Sequence, residues 1–313
     1  MALVRALAAL APRRQWDLGV VVGHVQHHLR DADGSAERDA RFVAALARKQ
    51  GLRFLRADLS GTASPVRDDD RGNCEARARE GRYAALEGMA RQVEAGFVAV
   101  AHHGDDQLET LLMRLVRGST VRGLGAMAWS RPLGAAAGPD HEPCIRLIRP
   151  LLRHTHRDAE AFLENLGQSW CEDHTNSDAS RLRAKIRHEI LPVLRELRPD
   201  IARHAANLTE HFRRLAGLLD ETVDDASQRM PLCEGDAILS RAEARALPEI
   251  VLGGLLRRRL GEAGASPDRT TRRTLEPIVR AIRDREGFQR KFNVNSGVHV
   301  LLTRDQVRIQ GPR

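Results

Sequence analysis

Two hydrophobic periods alternate along the first half of the chain. Leu3, Leu7 and Leu10 stand at helical spacing, and the helix they predict runs from Met1 with no capping residue ahead of it. Leu18 to Val25 is then an unbroken apolar and β-branched run, short enough for a buried parallel strand. Ser35 and Glu37 open a second helix whose apolar residues Phe42, Val43, Leu46 and Ala47 share one face, and Gly51 closes it. Leu52 to Leu55 reads as a second strand. From about Glu75 to Ala95 the period is helical again, with Tyr83, Leu86, Met89, Ala90 and Val93 inward and Gly96 as the stop. Phe97 to Ala101 forms a third buried strand, and His102-His103-Gly104-Asp105 turns directly into a helix carrying Leu108, Leu111, Leu112 and Leu115 on one side. Such alternation predicts an α/β fold, a parallel sheet with helices on both faces and ligands at the carboxyl ends of the strands. His24, His27, His102 and His103 all stand at such ends.

From Asp158 onward the period is mainly helical, through Ala161–Leu166, Arg183–Leu197 and Ala202–Leu219, with a break at Pro199. Ser240 and Glu243 have capping-box spacing, and a further helix is expected after Ser266-Pro267-Asp268. Lys291–Val294 and Val298–Leu302 alternate around Asn295-Ser296-Gly297, as a small β-hairpin does. Two domains are therefore expected: residues 1–200, which hold the strands and the candidate site, and residues 201–313, a smaller and mainly helical part ending in the hairpin.

Composition narrows the class. The 313 residues are 42% hydrophobic and 29% charged, enough apolar material for a core and too much for a disordered chain. The net charge of +8 is carried almost wholly by arginine, whose forked guanidinium suits phosphate, so a polyanionic partner fits. Cys74, Cys144, Cys171 and Cys233 form no C-x-x-C pair, which indicates neither a zinc site nor a disulfide framework and agrees with a reducing, cytoplasmic compartment. The apolar start, residues 1–11, is too short to span a bilayer.

Three stretches carry chemistry. In His102-His103-Gly104-Asp105-Asp106-Gln107-Leu108-Glu109-Thr110, two imidazoles and three carboxylates gather at a strand-to-helix junction, where Mg²⁺ and nucleotide phosphates can be held. Taken alone the same residues also read as a helix cap, Asp106 and Glu109 having capping-box spacing, or as the metal site of a phosphohydrolase. Arg79 and Arg82, one turn apart in the stretch Gly72 to Tyr83, can grip one phosphate together, although a solvated charged face has the same pattern. The third stretch is Asp173-His174-Thr175-Asn176-Ser177-Asp178, followed by Arg183 and Arg187 at i, i+4.

Together these stretches resemble the tRNA(Ile)-lysidine synthase family of PP-loop (N-type) ATP pyrophosphatases, collinearly along nearly the whole chain. The likeness rests on His24-Val25-Gln26-His27-His28-Leu29-Arg30, the Asn73 to Tyr83 helix, the His102 to Thr110 turn, Met113-Arg114 with Arg117-Gly118, Arg149-Pro150-Leu151-Leu152, and Asp173 to Asn176 leading to Arg183 and Ile186-Arg187. The resemblance implies an adenine nucleotide alpha hydrolase-like sheet domain that binds ATP and Mg²⁺. It also implies adenylation of C2–O of the anticodon cytidine in a CAU-anticodon isoleucine tRNA, followed by attack of the ε-amine of free L-lysine. Carried over residue by residue, it makes Asp106, Glu109 and Arg183 catalytic, and His24, His27, His102 and His103 part of the ATP pocket. Asp105 and Asp106 become metal ligands, and Arg79, Arg82, Arg114, Arg117 and Arg187 contacts to phosphate or tRNA.

The family's Ser-Gly-Gly-x-Asp-Ser loop is absent, and Met1-Ala2-Leu3 matches the residues that follow it. The first strand of the fold is thus expected to be missing, with the chain shortened upstream, its neighbours ~9–10 Å apart and their edges unpaired. Ala184 and Gln26 depart from the family's usual Asn and Asp. Two other readings stay open, a PP-loop tRNA cytidine thiolase, which the missing C-x-x-C pair disfavours, and a degenerate tRNA-binding protein without turnover. A homodimer is compatible with the sequence.

Overall fold

The computed structural model describes residues 1–13, 15, 18–26, 34–59, 71–134, 144–170, 181–229, 232–233, 236–266, 269–284 and 289–312. They form two compact units, Met1–Arg213 and Arg214–Arg313. His27 and the stretch from Asp173 to Asp178 lie outside the described residues.

In the first unit helix α1 (Ala2–Leu10) precedes strand β1 (Val21–Gln26), helix α2 (Ser35–Lys49), strand β2 (Arg53–Asp58), helix α3 (Arg71–Gln92), strand β3 (Phe97–Ala99) and helix α4 (Gly104–Arg117). Gly51, at φ 66°, supplies the left-handed residue that turns the chain from α2 into β2. A short helix α5 (Val121–Leu124), strands β4 (Ser130–Pro132) and β5 (Arg146–Ile148), and helix α6 (His156–Asn165) follow. Next come helix α7 (Arg181–Lys185), a π-helical turn (Ile186–Ile190) and helix α8 (Leu191–Leu197), and helix α9 (Ile201–Arg229) begins after Pro199.

The expected α/β alternation is present, with its parallel strands divided between two sheets. β1 and β2 pair in parallel, Val21 opposite Arg53 through Gln26 opposite Asp58. β3 pairs in parallel with β5, which pairs antiparallel with β4, giving the order β3-β5-β4. Among the described residues the second edge of β1 and the second edge of β3 carry no strand, so the sheet is interrupted between them. Helix α3 packs against β1, β2 and β3 and so spans the interruption. The interruption also explains why Phe97, expected to be buried, is 62% exposed: a strand with one open edge has only part of its surface covered.

Two apolar clusters hold this unit. Ala90, Val98, Leu133, Ile145 and Leu147 pack with Tyr83 and Leu86 of α3 beneath the second sheet. Leu108 and Leu111 of α4 pack with Ile186, Leu191 and Ala205. Gly96 is not the stop of α3, which ends at Gln92 and leaves through Glu94 at φ 54°.

The second unit corrects the small hairpin. Strands β6 (Leu232–Cys233) and β7 (Asp236–Ser240), helices α10 (Arg241–Ala246), α11 (Glu249–Glu262) and α12 (Arg272–Arg283), and strands β8 (Arg290–Asn293), β9 (His299–Leu302) and β10 (Gln306–Gln310) fold together. The hairpin β8-β9 exists, but within a five-stranded antiparallel sheet ordered β6-β7-β10-β9-β8. Ser240 caps α10 as expected, its hydroxyl accepting from the Glu243 N–H, whereas α12 starts at Arg272 after Thr271, later than the Ser-Pro-Asp signal suggested. Leu252, Leu255, Leu256 and Leu260 of α11 meet Leu275, Ile278 and Ile282 of α12 and the inner residues Val300, Leu302, Val307 and Ile309.

Arg241 is fully enclosed there. It donates to the carbonyls of Ala281 (2.8 Å), Ile282 (3.3 Å), Asp284 (2.6 Å) and Thr303 (3.0 Å), satisfying the end of α12 and the turn after β9. Replacing Arg241 by Met removes the side-chain donor of the Ala281 and Thr303 carbonyls and leaves Ile282 and Asp284 only their bonds to Arg245, and is expected to destabilise the unit by about 3 kcal/mol in urea unfolding. Arg245→Met, which removes only the longer bonds to Ile282 and Asp284, is expected to cost about 1 kcal/mol.

Candidate active site

The site grows from the start of α4. Backbone closeness sets Gly104, whose N–H donates to the His154 carbonyl at 2.7 Å and where a Cβ would stand 3.1 Å from that oxygen. His103 is the extended residue before the helix, and its N–H donates to Asp106 Oδ2 at 3.0 Å. The capping interaction thus joins His103 and Asp106, not Asp106 and Glu109. Asp105, Asp106 and Glu109 are all buried on the first two turns, beside the N-terminal end of the helix dipole.

Each carboxylate meets cations or N–H donors. Asp105 Oδ1 accepts from Arg195 of α8 at 2.9 Å, and its Oδ2 accepts from the His156 N–H at the start of α6 at 2.7 Å. Burial pushes the Asp105 carboxyl up, but the His156 N–H and Arg195 outweigh it and hold the group below its usual range. Glu109, 2% exposed, accepts from Arg183 Nε at 2.9 Å and from both Nε and the Nη2 of Arg187, at 2.7 and 3.0 Å. Asp106 Oδ1 lies 3.5 Å from Arg183 and 3.8 Å from Arg187. Hydrogen bonding to Glu109 raises the pKa of Arg187. Ile186, fully buried between the two arginines in sequence, anchors them against α4 at the start of the π-helical turn, a distortion frequent at functional sites.

His102 follows β3 and is largely enclosed, with no hydrogen-bond partner for Nδ1. Burial, opposed by Asp106 and assisted by Arg149, Arg79 and Arg183, pushes its pKa down to about 4. His103 stacks at a tilt on His156, ring centroids 5.4 Å apart. His24 lies in the other sheet, opposite Arg56, and burial together with Arg56 lowers its pKa. Among the described residues no hydrogen bond or ion pair joins His24 to His102.

The phosphate candidates separate. Arg79 donates to the Tyr83 hydroxyl at 3.0 Å, and Arg82 has its pKa lowered by burial. Arg114 holds the carbonyls of Gly123 and Ala126, Arg117 is exposed at the end of α4, and Arg187 reaches the carboxylates. Sequence reasoning missed three residues of this centre. Gln107 is wholly buried and bonds to the Met127 carbonyl, the Met127 N–H and Thr209, fastening the loop after α5 to α4. Its polarity inside an apolar stripe was the available signal. Arg195 and Arg213, the latter bound to the carbonyls of Gly125 and Met127, left no local trace in the sequence.

A PP-loop domain family matches residues 1–194. A curated tRNA(Ile)-lysidine synthase from Thermobifida fusca is 38% identical over 262 residues, covering 82% of this chain and 72% of the relative. The chain belongs to the tRNA(Ile)-lysidine synthase family. Synthases of that name from Geobacter sulfurreducens and Alkalilimnicola ehrlichii are 36% and 33% identical over 79% and 91% of this chain. The chain spans about half the length of the Geobacter protein and 59% of the Alkalilimnicola one.

Within this tRNA(Ile)-lysidine synthase family member, the ion-pair layer is open to two tests. Glu109→Gln leaves two arginines facing a neutral amide and is expected to destabilise the first unit by about 3–5 kcal/mol in chemical unfolding. His102 has its folded pKa below its ordinary 6.5, so the unfolded chain binds the extra proton as pH falls. Its contribution is therefore full above pH 6.5 and lost as pH falls toward about 4. A His102→Gln variant is expected to show a flatter loss of stability across that window.

Proposed function

We propose that this chain joins free L-lysine to C2 of the wobble cytidine in CAU-anticodon isoleucine tRNA at the expense of ATP. The first unit carries the chemistry, and the basic C-terminal part contacts the tRNA, in the cytoplasm. Family membership supports this reading, and one structural observation carries it: Asp106 and Glu109 are buried against Arg183 and Arg187 beside the carboxyl end of a parallel strand. Carboxylates there suit the ammonium of an incoming amine, and the arginines suit its carboxylate or a phosphate.

The nucleotide fits. His102 Nδ1 and Gln26 Oε1, at the carboxyl ends of β3 and β1, are buried polar atoms without partners, and a purine nucleotide offers complementary donors and acceptors. When bound, ATP would supply the group that turns the C2 oxygen into a leaving group. His102, held neutral by burial, can then present a lone pair or an N–H without adding charge beside the phosphates. Asp106 and Glu109 orient the amine, and Arg183 and Arg187 stabilise negative charge as it develops. A resident Mg²⁺ does not fit at Asp105, because its two oxygens are held by Arg195 and the His156 N–H. Among the described residues no three His, Cys, Asp or Glu side chains are arranged so that they could hold a metal ion.

No described helix is long and apolar enough to cross a membrane. The test is incubation with ATP, Mg²⁺, labelled lysine and unmodified isoleucine tRNA bearing CAU. Label is expected to enter the tRNA, and Glu109→Gln is expected to lower the rate at least a hundredfold. Binding of the tRNA without transfer would replace the synthase reading with that of a binding protein.

A further inference from the structure

Three arginines from three elements converge on one tyrosine. Tyr83 of α3 packs its ring on the cluster beneath the second sheet. The guanidinium carbons of Arg79, also on α3, and Arg131 of β4 lie 5.1 and 4.9 Å from its ring centroid, and the hydroxyl accepts from Arg79 at 3.0 Å. Arg149, the residue after β5, is 2% exposed and lies near enough to Tyr83, Arg131 and Arg79 to interact electrostatically with them.

Among the described residues nothing neutralises this group. Arg79, Arg131 and Arg149 form no ion pair among the described residues, and the charged groups acting most strongly on Arg149 are Arg131 and Arg79 themselves. Arg149 gives one N–H to the Ala128 carbonyl at 2.6 Å, but its Nε is buried without any partner. A buried guanidinium that is repelled by two neighbours and keeps an unused N–H is held in readiness for an anion. Because Arg79 and Arg149 also act on His102, the cluster borders the proposed nucleotide pocket.

We infer that Arg79, Arg131 and Arg149 form a phosphate-binding clamp, with Tyr83 as the positioning residue that holds them together. The ligand chemistry is a phosphate group, supplied either by the RNA backbone or by the polyphosphate of a nucleotide. This deepens the proposed function, on which the naming of those two sources rests. It also gives Arg79 partners other than the neighbouring Arg82 expected from helical spacing.

The variant to use is Arg131→Gln, since Arg149 is buried and its loss risks the fold. Binding of ATP, inorganic tripolyphosphate and unmodified isoleucine tRNA bearing CAU is measured by titration calorimetry over a range of salt, with Arg41→Gln as a distant control. Arg131→Gln is expected to weaken one class of ligand about tenfold at unchanged thermal stability, with partial recovery in Arg131→Lys and about threefold weakening in Tyr83→Phe. Loss confined to tRNA, with a salt slope lower by about 0.7–0.9, identifies a backbone phosphate. Loss confined to ATP and tripolyphosphate identifies the nucleotide. Unchanged affinity for all three probes in Arg131→Gln, or no binding of any by the unsubstituted chain, overturns the clamp. Failure of lysine transfer with these affinity changes intact would overturn the proposed function and leave the clamp standing.

Discussion

Three carboxylates leave water within the first two turns of α4, and the first unit can pack around them because three arginines close over them from the half-buried and exposed side. Asp105, Asp106 and Glu109 stand at the end of a helix where negative charge is favoured, but that dipole offsets only part of the cost of burying a carboxylate. The remainder comes from Arg183, Arg187 and Arg195, all from one run of seventeen residues that starts as α7, widens into a π-helical turn and continues as α8. The apolar contacts of Ile186 and Leu191 with Leu108 and Leu111 put that run in place, so greasy packing and charge pairing enforce the same register. Gln107, between the carboxylates, turns the opposite way and fixes the loop after α5. One helix thereby organises the site and the frame around it.

The interrupted sheet makes α3 the second element on which the unit depends. With β1-β2 and β3-β5-β4 as separate sheets, no hydrogen bond of one ladder supports the other, and side-chain packing carries the connection. α3 touches β1, β2 and β3. Its Met89 meets Gly23 of β1, where a Cβ would stand 3.4 Å from the thioether's methyl, while its Ala90 and Tyr83 serve the other sheet. The same helix thus places Tyr83 and Arg79 next to Arg131 and Arg149.

Local patterns made the elements legible and left their pairing obscure. Periodicity located the α/β alternation, the strand-to-helix junction at His102 to Asp106 and the helix bearing Arg183 and Arg187, because those signals repeat within a few residues. The partner of Asp105 was not legible, since Arg195 stands ninety residues away on a helix with no unusual composition. Nor was the tyrosine-centred arginine cluster, whose members Arg79, Arg131 and Arg149 belong to three elements. The five-stranded sheet of the second unit was read as a hairpin because its further strands are short. In β10 only Val307 and Ile309 alternate inward, too brief a pattern to separate from a loop without the partners β7 and β9.

The ion-pair layer is balanced but not symmetric, and that asymmetry bears on how an amine enters it. Arg187 grips both oxygens of Glu109 through two donors, whereas Arg183 donates from Nε to one of them and brings Nη2 to 3.5 Å from Asp106. A bidentate guanidinium is harder to displace than a single contact. In the proposed transfer an ammonium group approaching Glu109 and Asp106 would compete with Arg183, the guanidinium that spans both carboxylates. A guanidinium displaced in this way would remain on the helical run anchored by Ile186. In the proposed transfer it would then lie beside the negative charge that develops as the phosphate leaves, so that substrate entry itself releases the cation the later step needs.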